Sequence, residues 1–187
     1  MYKAIIFDFF GVIRGEAYES WLDARGLKRE GVYLDAVRSM DRGVISVDNF
    51  LQILSDEVGD DPQVILKEIN RSAVINEAVV ALIKSLKSHY KLGLLSNASR
   101  DILQPLLEDH DLGSLFDEIV VSSDVGFIKP SPQIFTIMLE RLGVSAKESL
   151  FIDDNAANVR GAEDVGIQGV VFSGVVALRH DLKQYGV

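Results

Sequence analysis

Short apolar runs alternate with helix-length amphipathic segments along most of this chain, and that alternation constrains the fold more than any other feature. Lys3-Ala4-Ile5-Ile6-Phe7 is apolar after its first residue, too short for a helix, and ends at one acidic residue, Asp8. Gly11, three positions later, lets the chain turn. The run reads as a strand buried on both faces. Leu92-Gly93-Leu94-Leu95, Ile119-Val120-Val121, Ser149-Leu150-Phe151-Ile152 and Gly169-Val170-Val171-Phe172 read the same way. Helical patterns separate them: Val79 to Leu86, Ile102 to Glu108, Ile134 to Leu142 after Ser131-Pro132, and Ala156 to Val165. Strands that alternate with helices demand right-handed crossovers. The fold class is therefore α/β, a Rossmann-like parallel sheet with helices on both faces.

One long interruption breaks the alternation. Between Gly15 and Arg71 no strand pattern occurs, only helical ones. Tyr18, Trp21, Leu22 and Arg25 share a face that stops at Gly26. Val32, Leu34 and Val37 form a second pattern ending before Asp41-Arg42-Gly43. Ser46 opens a third that stops at Gly59, and Asp61-Pro62 opens a fourth. The expected organisation is an α/β core of residues 1–14 and 75–187, carrying a helical cap over 15–74.

Bulk properties exclude several functions. The chain has 187 residues, 48% of them apolar, enough for a substantial core. Its 28 acidic against 19 basic residues give a net charge of −9, which disfavours nucleic acid and anionic membrane as partners. With no cysteine there is neither a disulfide framework nor a thiolate metal site. No apolar run approaches membrane-spanning length. The first strand starts within a few residues of Met1, leaving no room for a signal peptide, so the expectation is a cytoplasmic protein.

All strands of a parallel sheet end on the same side, and ligands bind there. Asp8, Ser96, and Asp153 with Asp154 each lie just past a strand; Lys129 lies in a loop beyond another. These residues should meet on one rim. Three carboxylates so close cannot all ionise cheaply without a cation. Oxygen ligands alone suit a hard ion, Mg²⁺ above all, which takes a substrate phosphate as a further ligand. Ser96 offers a hydroxyl donor, Asn97 an amide and Lys129 a positive charge. Together they make a site for a phosphoryl dianion, with Asp8 placed to attack phosphorus and form an aspartyl-phosphate.

In order along the chain, Phe7-Asp8-Phe9-Phe10-Gly11-Val12, Leu95-Ser96-Asn97, Lys129-Pro130, and Phe151-Ile152-Asp153-Asp154-Asn155 with Gly161-Ala162 and Gly166 resemble the four motifs of the haloacid dehalogenase superfamily. The insertion after the first motif is similar to that superfamily's small helical cap. Within it, the chain most resembles small sugar-phosphate phosphatases and the phosphatase domain of soluble epoxide hydrolases. The resemblance implies Asp8 as nucleophile and Mg²⁺ ligand, the Phe10 main-chain carbonyl as a ligand, and Asp154 as a direct ligand. It implies Asp153 as a ligand directly or through water, and Ser96, Asn97 and Lys129 as the holders of the phosphoryl group. The expected activity is Mg²⁺-dependent hydrolysis of a small phosphorylated metabolite such as a sugar phosphate.

Position 10 departs from that pattern. Most such phosphatases carry a second aspartate two residues after the nucleophile, and Phe10 cannot move a proton. General acid–base help is typically worth about 10²–10⁴-fold. The proton must come from water, from a cap residue such as Glu16, or from the substrate. Otherwise the leaving group is good enough to need little help, or turnover is slow. An aromatic residue at this place also resembles the superfamily's metal-free 2-haloacid dehalogenases, although paired acids at Asp153-Asp154 argue for a metal. A binding protein for phosphate or Mg²⁺ with weakened catalysis is the third reading. Tyr18 and Trp21 read as cap packing, and Arg42 as a surface arginine that could face the site.

Overall fold

A computed structural model of the chain describes residues 1–71 and 73–187. It begins with β1 (Ala4–Phe7). Four helices then follow with no strand between them among the described residues: α1 (Ala17–Asp23), α2 (Gly31–Asp41), α3 (Val47–Val58) and α4 (Pro62–Arg71). The alternating part comprises α5 (Glu77–Leu86), β2 (Lys91–Ser96), α6 (Arg100–Asp109), β3 (Glu118–Val121), α7 (Ser122–Val125), α8 (Pro132–Leu142), β4 (Ser149–Asp153), α9 (Ala156–Asp164), β5 (Gln168–Val171) and α10 (Val175–Gln184).

The strands form one parallel sheet in the order β3-β2-β1-β4-β5. β1 takes the middle because all four of its residues are apolar and tolerate full burial. Strand pleating sends neighbours to opposite faces. Ile5, Phe7, Leu92, Leu94, Leu150 and Ile152 enter one apolar layer, beneath α5, α6 and α10. Ala4, Ile6, Leu95 and Phe151 enter the other, beneath α8 and α9. The α/β class and parallel sheet read from the sequence are therefore present.

Local signals set the helix ends. Ser46 accepts a hydrogen bond from the Asn49 N–H at 3.1 Å and so caps α3, whose other end is Gly59 at φ 80°. Asn76 and Asn155 cap α5 and α9 in the same way. Helices α1 to α4 close around an apolar cluster of their own, built from Trp21, Leu22, Val37, Phe50, Leu54 and Ile65 among others.

Three details differ from the sequence reading. α2 runs through Asp41 rather than stopping before it, because the turn comes one residue later. The Arg42 N–H still bonds the Arg38 carbonyl, and Gly43, at φ 70°, makes the turn. The segment after β3, read as loop, opens with α7, which is too short to show a helical period and is closed by Gly126 at φ 75°. Phe172 lies just outside β5, although its N–H still bonds the Asp153 carbonyl at 2.9 Å.

Gly161 lets α9 lie directly on the Lys129-Pro130 segment. A Cβ there would stand 2.6 Å from the Pro130 carbonyl oxygen. Such overpacking costs about 1–3 kcal/mol, against a helix-propensity gain of at most about 1 kcal/mol. Gly161→Ala is therefore expected to lower the urea-unfolding midpoint. A midpoint at or above that of the natural chain would mean that the Pro130 segment yields freely and that this contact does not matter.

Candidate active site

The site forms where β1, β2 and β4 end. Asp8 directly follows β1, and its N–H continues the ladder by bonding the Ile152 carbonyl at 2.9 Å. Ser96 ends β2 and Asp153 ends β4. Lys129 comes from the loop between α7 and α8 and is 3% exposed. Its ammonium lies 2.7 Å from Asp8 Oδ1 and 2.7 Å from Asp153 Oδ2. That one cation joins three segments far apart in sequence.

Each partner is held further. Asp8 Oδ1 also accepts from the Phe9 N–H at 2.7 Å, while Oδ2 takes no protein hydrogen bond among the described residues. Asp153 is fully buried, and both its oxygens are engaged. Oδ1 accepts from the Asn155 N–H at 2.8 Å, Oδ2 from Lys129, and both from Asn158 Nδ2 at 3.1 Å. Asn97 grips the Lys129 main chain at both ends of its amide: Oδ1 accepts from the Lys129 N–H at 2.8 Å, and Nδ2 donates to the Lys129 carbonyl at 3.1 Å. The side chain expected to hold a phosphoryl group is thus occupied in fixing the lysine.

Asp8, Asp153 and the exposed Asp154 bring one carboxylate oxygen each to within 4.8 Å of one another. Burial and the neighbouring Asp153 push the Asp8 carboxyl well above the usual carboxylate range, against the pull of Lys129. Asp154 is raised by the same two causes, in the same order, and Lys129 is held protonated by Asp8 and Asp153 despite its burial. A surplus of negative charge remains after the lysine is counted. An all-oxygen donor set with that surplus fits a hard divalent cation. Ser96 adds a second sign of a missing partner. Its hydroxyl is fully buried and has no hydrogen bond among the described residues, a state that natural proteins rarely leave unfilled.

A cavity of about 720 Å³ lies over this cluster. Asp8, Phe10, Asn97, Lys129 and Asp154 line its floor; Ser96 and Asp153 lie outside the lining. Helices α1 to α4 supply the opposite wall, including Tyr18, Val37, Met40 and Leu66. Trp21 is buried in the helical cluster, as its reading as packing requires, and donates its indole N–H to Glu68 at 3.2 Å. Tyr18 packs there too, with its hydroxyl on the Tyr33 carbonyl at 3.0 Å, yet it also borders the cavity. Glu16 lines the cavity half-buried, and Arg42 lines it from the exposed rim.

Two buried charged residues in the cavity wall escaped the sequence reading. Arg14 is buried and donates to the Asn70 carbonyl at 3.0 Å. Asp41 is 5% exposed. A signal for Asp41 was present: Leu34, Val37 and Asp41 follow the i, i+3, i+7 spacing of an inward stripe, so the acid occupies an apolar position.

A family profile described as a haloacid dehalogenase-like hydrolase matches residues 2–166. The chain belongs to the haloacid dehalogenase-like hydrolases. It is 27% identical over 189 residues to a D-ribitol-5-phosphate phosphatase of Bacteroides thetaiotaomicron, covering 90% of each chain. Among solved structures, a HAD-like family hydrolase from Porphyromonas gingivalis superposes with a TM-score of 0.77 at 26% identity, over 97% of this chain and 98% of that one. A HAD-family enzyme from Bacteroides thetaiotaomicron, solved with magnesium and inorganic phosphate, shares the fold with a TM-score of 0.75 at 22% identity, over 91% and 94% of the two chains.

In this haloacid dehalogenase-like hydrolase, Gly11 makes room for the third carboxylate. It sits at φ 83°, and a Cβ there would fall 2.2 Å from Asp154 Oδ2. Gly11→Ala must displace Asp154. The expected result is a Mg²⁺ affinity about 10–100-fold weaker, the usual scale for disturbing a ligand's support, with cooperative unfolding retained. Isothermal titration with Mg²⁺ reads this directly; an affinity equal to that of the natural chain would remove Asp154 from the cation site.

Proposed function

We propose that this hydrolase is a Mg²⁺-dependent phosphatase acting on a small phosphorylated metabolite through an aspartyl-phosphate on Asp8. The observation that carries the reading is the Asp8–Lys129–Asp153 cluster, with Asp154 beside it and an unpartnered Ser96 hydroxyl beneath. Asp8, Asp154 and the Phe10 main-chain carbonyl would hold the ion. Asp153, whose oxygens are already satisfied by protein donors, would act on it through water. The ion, when bound, neutralises charge on the phosphoryl oxygens.

The protein's own groups do the rest. Asp8 Oδ2, the oxygen without a protein hydrogen bond, attacks phosphorus while Lys129 and the Phe9 N–H hold Oδ1. The Lys129 ammonium and the Ser96 hydroxyl stabilise the transferring phosphoryl group. Asn97 positions Lys129 through its main chain. The helical segment, residues 15–74, serves as the cap over a core of 1–14 and 75–187. Its separate apolar cluster and its share of the cavity wall support that division. Similarity to a D-ribitol-5-phosphate phosphatase supports a phosphorylated polyol or sugar as the substrate class. No helix among the described residues is long and apolar enough to cross a membrane, and we place the activity in the cytoplasm.

The purified protein should release phosphate from p-nitrophenyl phosphate and from at least one member of a sugar- and polyol-phosphate panel. EDTA should abolish both activities and Mg²⁺ restore them. Asp8→Asn should lower turnover by at least about 10⁴-fold, the scale of losing a nucleophile. Phosphate release insensitive to chelation would refute the metal site, and halide release from a 2-haloacid under EDTA would install the dehalogenase reading in its place.

A further inference from the structure

Phe10 stands where this reaction would otherwise find its proton carrier. It lines the cavity but is an aromatic side chain, packed edge-to-face on Phe9 with ring centroids 5.0 Å apart. A carboxyl group elsewhere in the wall can take over that task for poor leaving groups. Asp41 lies in that wall, at the last turn of α2. Its place is fixed from the core side. The buried Ser122 hydroxyl donates to the Asp41 main-chain carbonyl at 2.5 Å. The following Gly43 rides so close to the Ser123 main chain that a Cβ would fall 2.6 Å from its carbonyl oxygen. No hydrogen bond reaches the Asp41 carboxyl among the described residues, although the residue is nineteen-twentieths buried. Its carboxyl oxygens are not enclosed by protein, so they open on the cavity at a fixed point, where a substrate oxygen can meet them.

We propose that Asp41 is the acid and base of the reaction, an assignment that rests on the phosphatase reading. In the first half, Asp8 Oδ2 forms its bond to phosphorus and the bond from phosphorus to the leaving oxygen breaks. The Asp41 carboxyl gives its proton to that oxygen, so a neutral alcohol departs. In the second half, water attacks phosphorus and passes one proton to the Asp41 carboxylate. The bond between phosphorus and Asp8 breaks, Asp8 leaves as carboxylate, and inorganic phosphate is released. Asp41 ends as it began, protonated.

The electrostatics agree with this geometry. The titratable and charged groups that face Asp41 are Tyr18 from α1, Arg29 from the loop between α1 and α2, Glu16 from the loop before α1, and Lys129 from the core; Arg38 and Arg42 flank it on its own segment. Burial is the largest influence and Glu16 adds to it, while Arg29 and Lys129 oppose them; the carboxyl is pushed up to about 7. It therefore carries its proton near neutrality and loses it as pH rises. Glu16 is the rival donor: it is raised by burial as well, but it stands at the exposed start of α1, where the Ser20 hydroxyl donates to its main-chain carbonyl at 2.6 Å and its half-exposed side chain makes no capping hydrogen bond.

The test compares leaving groups. For Asp41→Asn, kcat/KM should fall by about 10²–10⁴-fold on an alkyl phosphate, whose oxygen must be protonated to leave. It should fall far less on p-nitrophenyl phosphate, which leaves as an anion. The variant should also show a burst of p-nitrophenol equal to the enzyme concentration, because hydrolysis of the aspartyl-phosphate now lacks its base. The natural enzyme's kcat/KM on the alkyl phosphate should decline above pH about 7, and the variant should lose that decline. Formate should restore activity to Asp41→Ala, which guards against reading misfolding as chemistry. Equal losses on both substrates with no burst would reduce Asp41 to a structural role. The same leaving-group pattern in Glu16→Gln and not in Asp41→Asn would transfer the role to Glu16. Failure of the natural enzyme to hydrolyse p-nitrophenyl phosphate with Mg²⁺ would instead overturn the phosphatase reading, and this assignment with it.

Discussion

The Lys129 ammonium, held between Asp8 and Asp153, is the contact on which the rest of the site depends. Taking an isolated charge out of water costs several kcal/mol even after relaxation, so a buried lysine survives only where its partners are fixed. Here they are fixed by the sheet. Asp8 and Asp153 follow neighbouring parallel strands in register, Phe7 opposite Ile152, so the two carboxylates emerge side by side. Asn97 holds the lysine's main chain from a third strand end, and Asn158 and the Asn155 N–H hold Asp153 from the start of α9. Remove either carboxylate and the buried ammonium loses a counterpart; remove the amides and the charges lose their fixed positions.

The lysine does not balance the charge around it. Two buried carboxylates share one ammonium, and a third acid lies alongside. Burial first, and that imbalance after it, raise the proton affinity of Asp8 and Asp154, and a divalent cation suits the cluster for the same reason. The orphaned Ser96 hydroxyl makes a parallel argument for an anion. A site short of one cation and of one hydrogen-bond acceptor suits a metal–phosphoryl pair, and the proposed chemistry rests on those two deficits more than on any single residue.

Much of this was legible along the chain because strand ends are easy to find. Asp8, Ser96 and Asp153 each terminate an apolar run, and parallel pairing forces such ends together whatever the loops do. Lys129 was legible only through its neighbour Pro130 and its order among the motifs; no local pattern shows that a loop lysine will be buried. Asn97 was found for the phosphoryl group, but its bonds to the Lys129 main chain were not foreseen, since a sequence does not say which way an amide turns. Arg14 was passed over because no local pattern sets it apart, and Asp41 because the helical pattern was taken to end before it. Their placement depends on how the helical segment seats on the core, a long-range packing outcome that periodicity does not reach. The stripe from Leu34 through Val37 to Asp41 nonetheless marked an acid at an inward position.

Moving proton transfer from the strand end to the helical segment has a mechanical consequence. An acid two residues beyond the nucleophile is always in place, because the same turn carries both. Asp41 arrives from a different layer, and its distance from the reacting oxygen is set by how α2 docks against α7. The hydrogen bond from Ser122 to the Asp41 carbonyl and the close pass of Gly43 over Ser123 fix that docking at the acid itself. Phosphoryl attack needs the core alone, while release of an alcohol needs the segment seated. Discrimination between substrates can therefore act on the second requirement: a molecule that lets the helical wall settle receives its proton, and one that props the wall away does not.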